Sequence, residues 1–249
     1  MSKVDRSTRL AKRDGYSSKD YWESRYQEVG GFHEWYFSYD DLQPLLVSHI
    51  SAEDSVLEIG CGDSPLLTGM LDSGHTGKLH AIDFSRSIIE KVIEDQAKLA
   101  PISVSITYLE MDARKLIYDQ DTWDTVIDKG TMDAMLCDKI TGFTNGRALV
   151  SEACRVLKKA RGTIVFISHI QPETAEFHSW MQKCILPVLD EYRSSLWKVE
   201  AHIGSTTHSP EETESPTVYI ITSKTRRFTR GSLLSSIVEM SVLSHSDSD

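Results

Sequence analysis

The sequence has few cysteines and no long apolar run. Its four cysteines, Cys61, Cys137, Cys154 and Cys184, form no C-x-x-C pair, and no Cys/His spacing is typical of a zinc site. We therefore expect reduced thiols and no bound metal. No run of 18 apolar residues exists, and the N-terminus lacks the apolar segment of a secretory signal. These absences predict a protein that is neither secreted nor embedded in a membrane.

Positive charge is scarce as well. The 249 residues include 27 Lys and Arg against 37 Asp and Glu, for a formal net charge of -10. Non-specific nucleic-acid binding needs Lys and Arg to neutralise phosphates, so we expect no nucleic-acid partner. A basic protein partner is compatible with this charge. The length and the 40% hydrophobic content suit one domain with one sizeable core.

The apolar pattern alternates between strand and helix. Helices are predicted over 19–28 and 38–48, at the start of an aromatic-rich segment, and then over 65–73, 85–99, 147–158 and 173–186, the last stopped by Pro187. Strands are predicted at 55–59, 78–82, 106–110, 123–127 and 163–168, followed by a hairpin of 197–203 and 217–222. This order predicts an α/β fold, a doubly wound Rossmann-like sheet of seven strands in a single domain. We divide the chain into a disordered N-terminus (1–18), the domain (19–224, core 50–170) and a Ser-rich C-terminal tail (225–249).

A glycine turn follows the first predicted strand. Gly60 and Gly62 lack a Cβ, which lets backbone approach a ligand closely. The spacing departs from the dinucleotide fingerprint because Pro65 occupies the third glycine position. A nucleoside without a pyrophosphate fits this turn better, and S-adenosylmethionine is the common example. Asp63 has the right side chain to be the N-cap of the helix that follows.

Acidic residues follow three further strands, at the edge where such sheets bind ligands. Asp83 stands about 20 residues after the glycine turn, where an acid accepts hydrogen bonds from ribose hydroxyls. Asp112 follows the third strand, and its carboxylate can accept from an adenine amine. Asp128 and Lys129 follow the fourth. Each acid alone could be a helix cap, but four strand ends in register predict a nucleoside site.

Several motifs together resemble one family. They are Tyr21-Trp22-Glu23-Ser24-Arg25-Tyr26, Glu34-Trp35-Tyr36, Gly60-Cys61-Gly62-Asp63-Ser64, Met111-Asp112 and Asp128-Lys129-Gly130-Thr131-Met132-Asp133-Ala134. Over about residues 19–170 the chain resembles the methyltransferase-like 13 group of class I S-adenosylmethionine-dependent methyltransferases. Members of that group methylate lysines of translation elongation factor 1-alpha. The resemblance implies the class I fold, S-adenosylmethionine as cofactor, a protein-lysine acceptor such as that elongation factor and, with the absent signals, a cytoplasmic location with a nuclear share left open.

The resemblance also assigns roles to single residues. It implies that the cofactor is bound by Trp22, Tyr26, Trp35, Gly60, Gly62, Asp83, Phe84, Asp112, Ala113 and Lys129. The aromatic residues would face the sulfonium, a cation that aromatic faces attract, although core packing alone also accounts for them. Asp63 departs from the family, whose close relatives have Asn there, and residues 170–249 match too weakly to assign an acceptor site.

Lysine methylation requires a neutral amine in line with the transferred methyl group, and no metal. Asp128 and Asp133 are candidates to orient that amine, although each could equally cap a helix. His169 follows the fifth strand at the same edge and is more simply a structural residue. The Asn-Pro-Pro-Tyr type motif of base-modifying methyltransferases is absent after the fourth strand.

Three other functions stay open. A small-molecule methyltransferase could use the aromatic N-terminal segment as a lid. An inactive cofactor-binding scaffold would not need the intact set of Gly60, Asp83, Asp112 and Lys129. An NAD-dependent oxidoreductase is disfavoured by Pro65 and by the lack of a hydride-transfer constellation.

Overall fold

The computed structural model describes residues 15–28, 34–98, 106–159, 161–192, 195–203, 216–225 and 238–244. Within this part of the chain one sheet holds eight strands, in the order β3-β2-β1-β4-β5-β7-β6-β8. The strands are β1 (Val56–Ile59), β2 (Leu79–Asp83), β3 (Thr107–Glu110), β4 (Thr125–Lys129), β5 (Thr163–Ser168), β6 (Ser195–Ile203), β7 (Thr217–Thr225) and β8 (Val238–Ser244).

The first seven strands form the predicted doubly wound sheet. Strands β1 to β5 are parallel to one another, and β7 runs antiparallel to both β5 and β6. The predicted class I fold is thus confirmed. Strand β8, which pairs parallel with β6, adds an eighth strand that the sequence analysis missed. It falls inside the segment assigned to a Ser-rich tail, although Val238, Met240 and Val242 alternate with polar residues as in a strand.

The helices cover both faces of the sheet. They are α1 (Lys19–Glu28), α2 (Tyr39–Leu46), α3 (Leu66–Asp72), α4 (Arg86–Lys98), α5 (Thr131–Leu136), α6 (Gly142–Val156), α7 (Ala175–Trp180) and α8 (Leu186–Glu191). One core packs residues of α2, α3 and α4 against strand residues such as Val165 and Ile220, and the other packs α6 to α8 against Phe166 and Tyr219. Strands β1, β4 and β5 are buried on both faces, which explains their continuous apolar sequences.

Two predicted helix boundaries are wrong. Helix α6 begins at Gly142, and the short α5 before it was not anticipated. Pro187 does not end the helix that starts at Ala175, since a π-helical turn over Met181–Ile185 leads into α8. Pro187 then lies at the second residue of α8, directly after the π-helical turn.

Two serines cap helices in the structure, whereas Asp63 does not. Ser38 forms a capping box with Asp41, and the Ser85 hydroxyl accepts from the Ile88 N–H at 3.4 Å, as an N-cap residue does. Asp63, however, caps nothing: Pro65 is the N-cap of α3, and the Asp63 carboxylate lies 3.7 Å from Nζ of Lys91.

The assignment of a disordered N-terminus lies largely outside the described residues. Residues 1–14 are not described, so the structure does not test the assignment there. None of the helices in the described ranges combines the length and the apolar character that a bilayer crossing needs.

Candidate functional site

The carboxyl ends of β1, β2 and β4 open onto a cavity of about 570 Å³. Every residue predicted to bind the cofactor lines it, namely Trp22, Tyr26, Trp35, Gly60, Gly62, Asp83, Phe84, Asp112, Ala113 and Lys129. The structure therefore brings this set together in one place. Their roles in binding stay predictions.

The glycine turn is required by the protein as well as by a ligand. Gly60 and Gly62 have φ angles of 65° and 52°, in the left-handed region. A Cβ on Gly60 would lie 1.9 Å from Oγ1 of Thr131, whose hydroxyl donates to the Ile59 carbonyl at 3.0 Å. A Cβ on Gly62 would lie 2.8 Å from the Tyr26 hydroxyl oxygen. Both positions are thus closed to larger residues.

Asp83 lies at the end of β2 and faces the turn. Its Oδ2 accepts from the Gly62 N–H at 3.0 Å, and its Oδ1 accepts from the Ser85 N–H at 2.8 Å. Burial raises the pKa of Asp83 to about 6, against the opposing effect of these two backbone donors. A carboxylate has about four acceptor sites, so the two hydroxyls of a ribose could still bind.

Asp112 is held by an arginine that sequence reasoning missed. Nε and Nη2 of Arg114 donate to its carboxylate at 2.9 and 2.7 Å, and these hydrogen bonds hold the pKa of Asp112 below its ordinary value. Nη1 of Arg114 reaches Oδ1 of Asn145 at 3.0 Å. Both Arg114 and Asn145 line the cavity. Asp112 is therefore ionised and fixed in orientation.

Lys129 ties the N-terminal segment to the sheet. Its buried ammonium donates to the carboxylate of Glu34 and to the backbone carbonyl of Trp35, the latter at 3.1 Å. A buried charge needs such partners. Lys129 thus lines the cavity and also positions Trp35 at its edge.

The aromatic wall is wider than predicted. Trp22 packs against Tyr26, with ring centroids 5.6 Å apart, and against Trp35 at 6.1 Å. Tyr16 stacks on Trp22 at 5.7 Å and accepts the indole N–H through its backbone carbonyl at 2.6 Å. Residues 15–18 were assigned to a disordered N-terminus, and this packing corrects that assignment. The neighbouring aromatic run was the signal that could have extended the wall to Tyr16.

Asp133, the second candidate for orienting an acceptor, lies at the cavity wall in a dense network. Its Oδ1 accepts from the Ser168 hydroxyl at 2.6 Å, and its Oδ2 from the Tyr36 hydroxyl at 2.6 Å and the His169 backbone N–H at 3.1 Å. Nδ1 of His169 lies 3.2 Å from the same Oδ2, and Nε2 lies 3.5 Å from Glu176. These carboxylates outweigh burial and raise the pKa of His169 to about 10, so the imidazole is cationic at neutral pH.

Tyr36 reaches Asp133 from a left-handed backbone conformation, with φ of 65°. Such a conformation is costly for a non-glycine residue and is concentrated at functional sites. From the sequence, Tyr36 is predicted only as part of a motif, without a role of its own, and His169 is predicted to be a structural residue. Both line the cavity.

The structure corrects the role suggested for Asp128. It does not line the cavity; its carboxylate accepts from the backbone N–H groups of Thr131 at 3.0 Å and Met132 at 3.1 Å. It therefore caps the start of α5, and burial raises its pKa to about 8. The helix-cap alternative was the right one for this residue.

Known proteins are similar to this chain in sequence. The chain is 28% identical over 217 residues to the eEF1A lysine and N-terminal methyltransferase of Xenopus laevis, covering 85% of this chain and 29% of that protein. It is 35% identical over 125 residues to the Mus musculus protein of the same name, covering 50% and 17%. It is 30% identical over 123 residues to EEF1A lysine methyltransferase 4 of Mus musculus, covering 49% and 46%. The chain thus matches less than half the length of each of these relatives.

Solved structures agree on the fold. A SAM-dependent methyltransferase from Methanosarcina mazei superposes with a TM-score of 0.56 at 12% identity, covering 75% of this chain and all of that one. Magnesium protoporphyrin IX methyltransferase from Synechocystis PCC 6803, solved with bound SAH, superposes with a TM-score of 0.53 at 14% identity, covering 85% and 97%. Residues 50–212 match the family described as "Methyltransferase domain", and the chain belongs to that family.

Proposed function

We propose that this protein is an S-adenosylmethionine-dependent protein-lysine N-methyltransferase that acts on translation elongation factor 1-alpha or a similar protein. The observation that carries the proposal is the convergence of the glycine turn, Asp83, Asp112 and the aromatic wall on one cavity. The relatives named as methyltransferases of eEF1A lysines support the acceptor. A cytoplasmic location belongs to the same proposal, since the acceptor is a translation factor.

The residues present fit this cofactor. Asp83 offers its remaining lone pairs to a ribose diol, and Asp112 offers an ionised carboxylate to the adenine amine. Gly60 and Gly62 line the cavity where the methionine part would lie. Trp22 and the rings packed on it provide aromatic faces for a sulfonium. When bound, S-adenosylmethionine supplies an electrophilic methyl group.

The acceptor side is proposed at Asp133, Tyr36 and His169. Lysine amines are protonated in water, with a pKa of about 10.4, and must be neutral to attack. A cation nearby disfavours the charged amine, and His169 is such a cation at the cavity wall. Asp133 fixes both His169 and the Tyr36 hydroxyl, so these groups hold the geometry in which the amine is desolvated and aligned.

Calorimetric titration with S-adenosylmethionine and S-adenosylhomocysteine tests the cofactor site. We expect micromolar binding that weakens at least tenfold in Asp83→Ala and is unchanged in Asp95→Ala, which removes an exposed carboxylate on α4. Circular dichroism of both variants would verify the fold. No binding to the intact protein would reject the methyltransferase proposal and favour a scaffold.

Mass spectrometry tests the acceptor. Purified translation elongation factor 1-alpha, incubated with the enzyme and cofactor, should gain mass on lysine in steps of one CH₂ unit, because each transferred methyl group replaces one hydrogen. The gain should vanish when the modified lysine is replaced by arginine. Transfer to free small amines but not to protein would instead favour a small-molecule methyltransferase.

A further inference from the structure

Three side chains of metal-binding type converge away from the cavity. His49, Glu200 and His202 each offer a ligand atom, and these atoms all lie within 4.8 Å of one another. None of the three lines the cavity described above. Glu200 and His202 are two residues apart in β6 and so share one face of the strand, while His49 follows the end of α2.

The hydrogen bonds of His49 fix which of its ring nitrogens can bind. The Ser48 hydroxyl spends its one hydrogen on the Leu45 carbonyl, at 2.7 Å. Nδ1 of His49 lies 2.8 Å from that hydroxyl oxygen and 3.1 Å from the same carbonyl, so Nδ1 must carry the hydrogen. Metal-binding histidines are commonly oriented by such a bond from the second nitrogen to a carbonyl. Nε2 is thereby directed to the cluster.

Nε2 of His49 faces a carboxylate. It lies 3.7 Å from Oε2 of Glu200, and the other carboxylate oxygen, Oε1, accepts from Nζ of Lys198 at 2.6 Å. A lone pair on Nε2 and a carboxylate oxygen repel each other unless a proton or a metal ion lies between them. The His202 ring meets the His49 ring edge to face, with centroids 5.9 Å apart, and places a third donor beside that pair.

We propose that His49, Glu200 and His202 bind a divalent transition-metal ion, with Zn²⁺ as the native ion and water as the fourth ligand. Two imidazoles and one carboxylate are a ligand set that zinc accepts in tetrahedral geometry. Bonds of about 2.0–2.1 Å place the ligand atoms of such a site about 3.3 Å apart. The 3.7 Å pair is close to that separation, and the widest pair, within 4.8 Å, reaches it by side-chain rotation.

The ion would anchor one end of the segment 34–49, which contributes Trp35 and Tyr36 to the cavity wall. His202 lies in register with Val218, Ile167 and Lys129, so it is about 14 Å across the sheet from Lys129 at 4.7–4.9 Å per strand. Lys129 holds residues 34 and 35 at one end of the segment, and the metal would hold His49 at the other. The inference is independent of the methyl-transfer proposal.

Zinc titration of chelator-treated, full-length protein tests the site. We expect one Zn²⁺ per chain by calorimetry, and at least a tenfold loss of affinity in each of His49→Gln, Glu200→Gln and His202→Gln. His178→Gln removes an exposed histidine on α7 and should bind as the intact protein does. Co²⁺ in place of zinc should give the d–d absorption of a tetrahedral ion, which His49→Gln should lose.

Two results would overturn the proposal. One is the absence of stoichiometric zinc binding by the intact protein, together with an unfolding temperature that is the same with zinc and with chelator. That outcome would leave His49 beside Glu200 without a metal ion. The other is zinc binding that survives in His49→Gln. This variant changes a partly exposed side chain, so it provides the decisive comparison even if the buried His202→Gln fails to fold.

Discussion

Replacing Asp133 with asparagine should remove the pH dependence of stability that the Asp133–His169 pair creates. The carboxylate of Asp133, together with that of Glu176, raises the pKa of His169 from 6.5 to about 10 in the folded protein against the opposing effect of burial. A group whose pKa is raised by folding stabilises the fold fully below its unfolded pKa, and the stabilisation is lost as pH rises through the folded pKa. The pair should therefore contribute fully below about pH 6.5 and nothing above about pH 10.

The magnitude follows from the size of the shift. One pKa unit corresponds to about 1.36 kcal/mol, so a shift from 6.5 to about 10 corresponds to about 5 kcal/mol at most. The His169 side chain is 28% exposed, and solvent screening lowers this value. Breaking a buried pair costs about 3–5 kcal/mol in general. We expect Asp133→Asn to lower the free energy of unfolding by about 3 kcal/mol at pH 6 and by much less at pH 10.

Urea unfolding of both proteins across pH 6 to 10 measures the difference, and NMR titration of His169 measures its pKa directly. Ser168→Ala is the matched control, because it removes a hydrogen bond to Asp133 without removing charge and should cost about 1 kcal/mol at every pH in this range. A His169 midpoint near 6.5 in the intact protein would refute the reasoning. So would parallel pH profiles for the intact protein and Asp133→Asn.

Three further predictions concern the turn, a cap and the cofactor site. Gly60→Ala should destabilise the protein far more than Gly74→Ala. Both positions have a positive φ, which costs a non-glycine residue about 1–2 kcal/mol, but only at Gly60 would the new Cβ lie 1.9 Å from Thr131. Equal losses of stability in thermal unfolding would contradict this. Ser38→Ala breaks the capping box of α2 and should cost about 1 kcal/mol by urea unfolding, with an unchanged midpoint the contrary result. Affinity for S-adenosylmethionine should fall as pH drops through about 6, because a protonated Asp83 accepts fewer hydrogen bonds. Calorimetry should show this fall in the intact protein and not in Asp83→Asn. An affinity that does not change with pH in either protein would contradict the prediction.

Local chemistry made much of the fold predictable. Four of the five parallel strands, β1, β2, β4 and β5, are largely buried, and their apolar residues, followed by Gly60, Asp83 or Asp128, indicated the alternation of strand and helix. Because parallel strands end at the same edge of the sheet, the sequence alone predicts that the acidic residues after these strands lie in one site. Two elements were missed. Helix α5 has only six residues, and β8 is an edge strand that pairs with β6 among the described residues.

Asp128 and Asp133 show where local reasoning stops. Both are acids beside the start of α5, and sequence alone gave them the same candidate role. The structure directs the Asp128 carboxylate to backbone donors of its own helix, whereas Asp133 accepts from Tyr36, Ser168 and His169. Which partners a carboxylate finds depends on segments far away in the chain, and no spacing rule reports them.

The sequence by itself determined the first seven strands of the sheet, its ligand-binding edge and the residues that follow each parallel strand, because strand periodicity and glycine turns are local properties. Only the tertiary structure decided what depends on distant segments meeting. It paired Lys129 with Glu34, brought Tyr16 onto the aromatic wall and placed His49 beside Glu200 and His202. Such contacts form when packing of the apolar faces closes long loops, and the polar groups they bring together leave no periodic pattern in the chain.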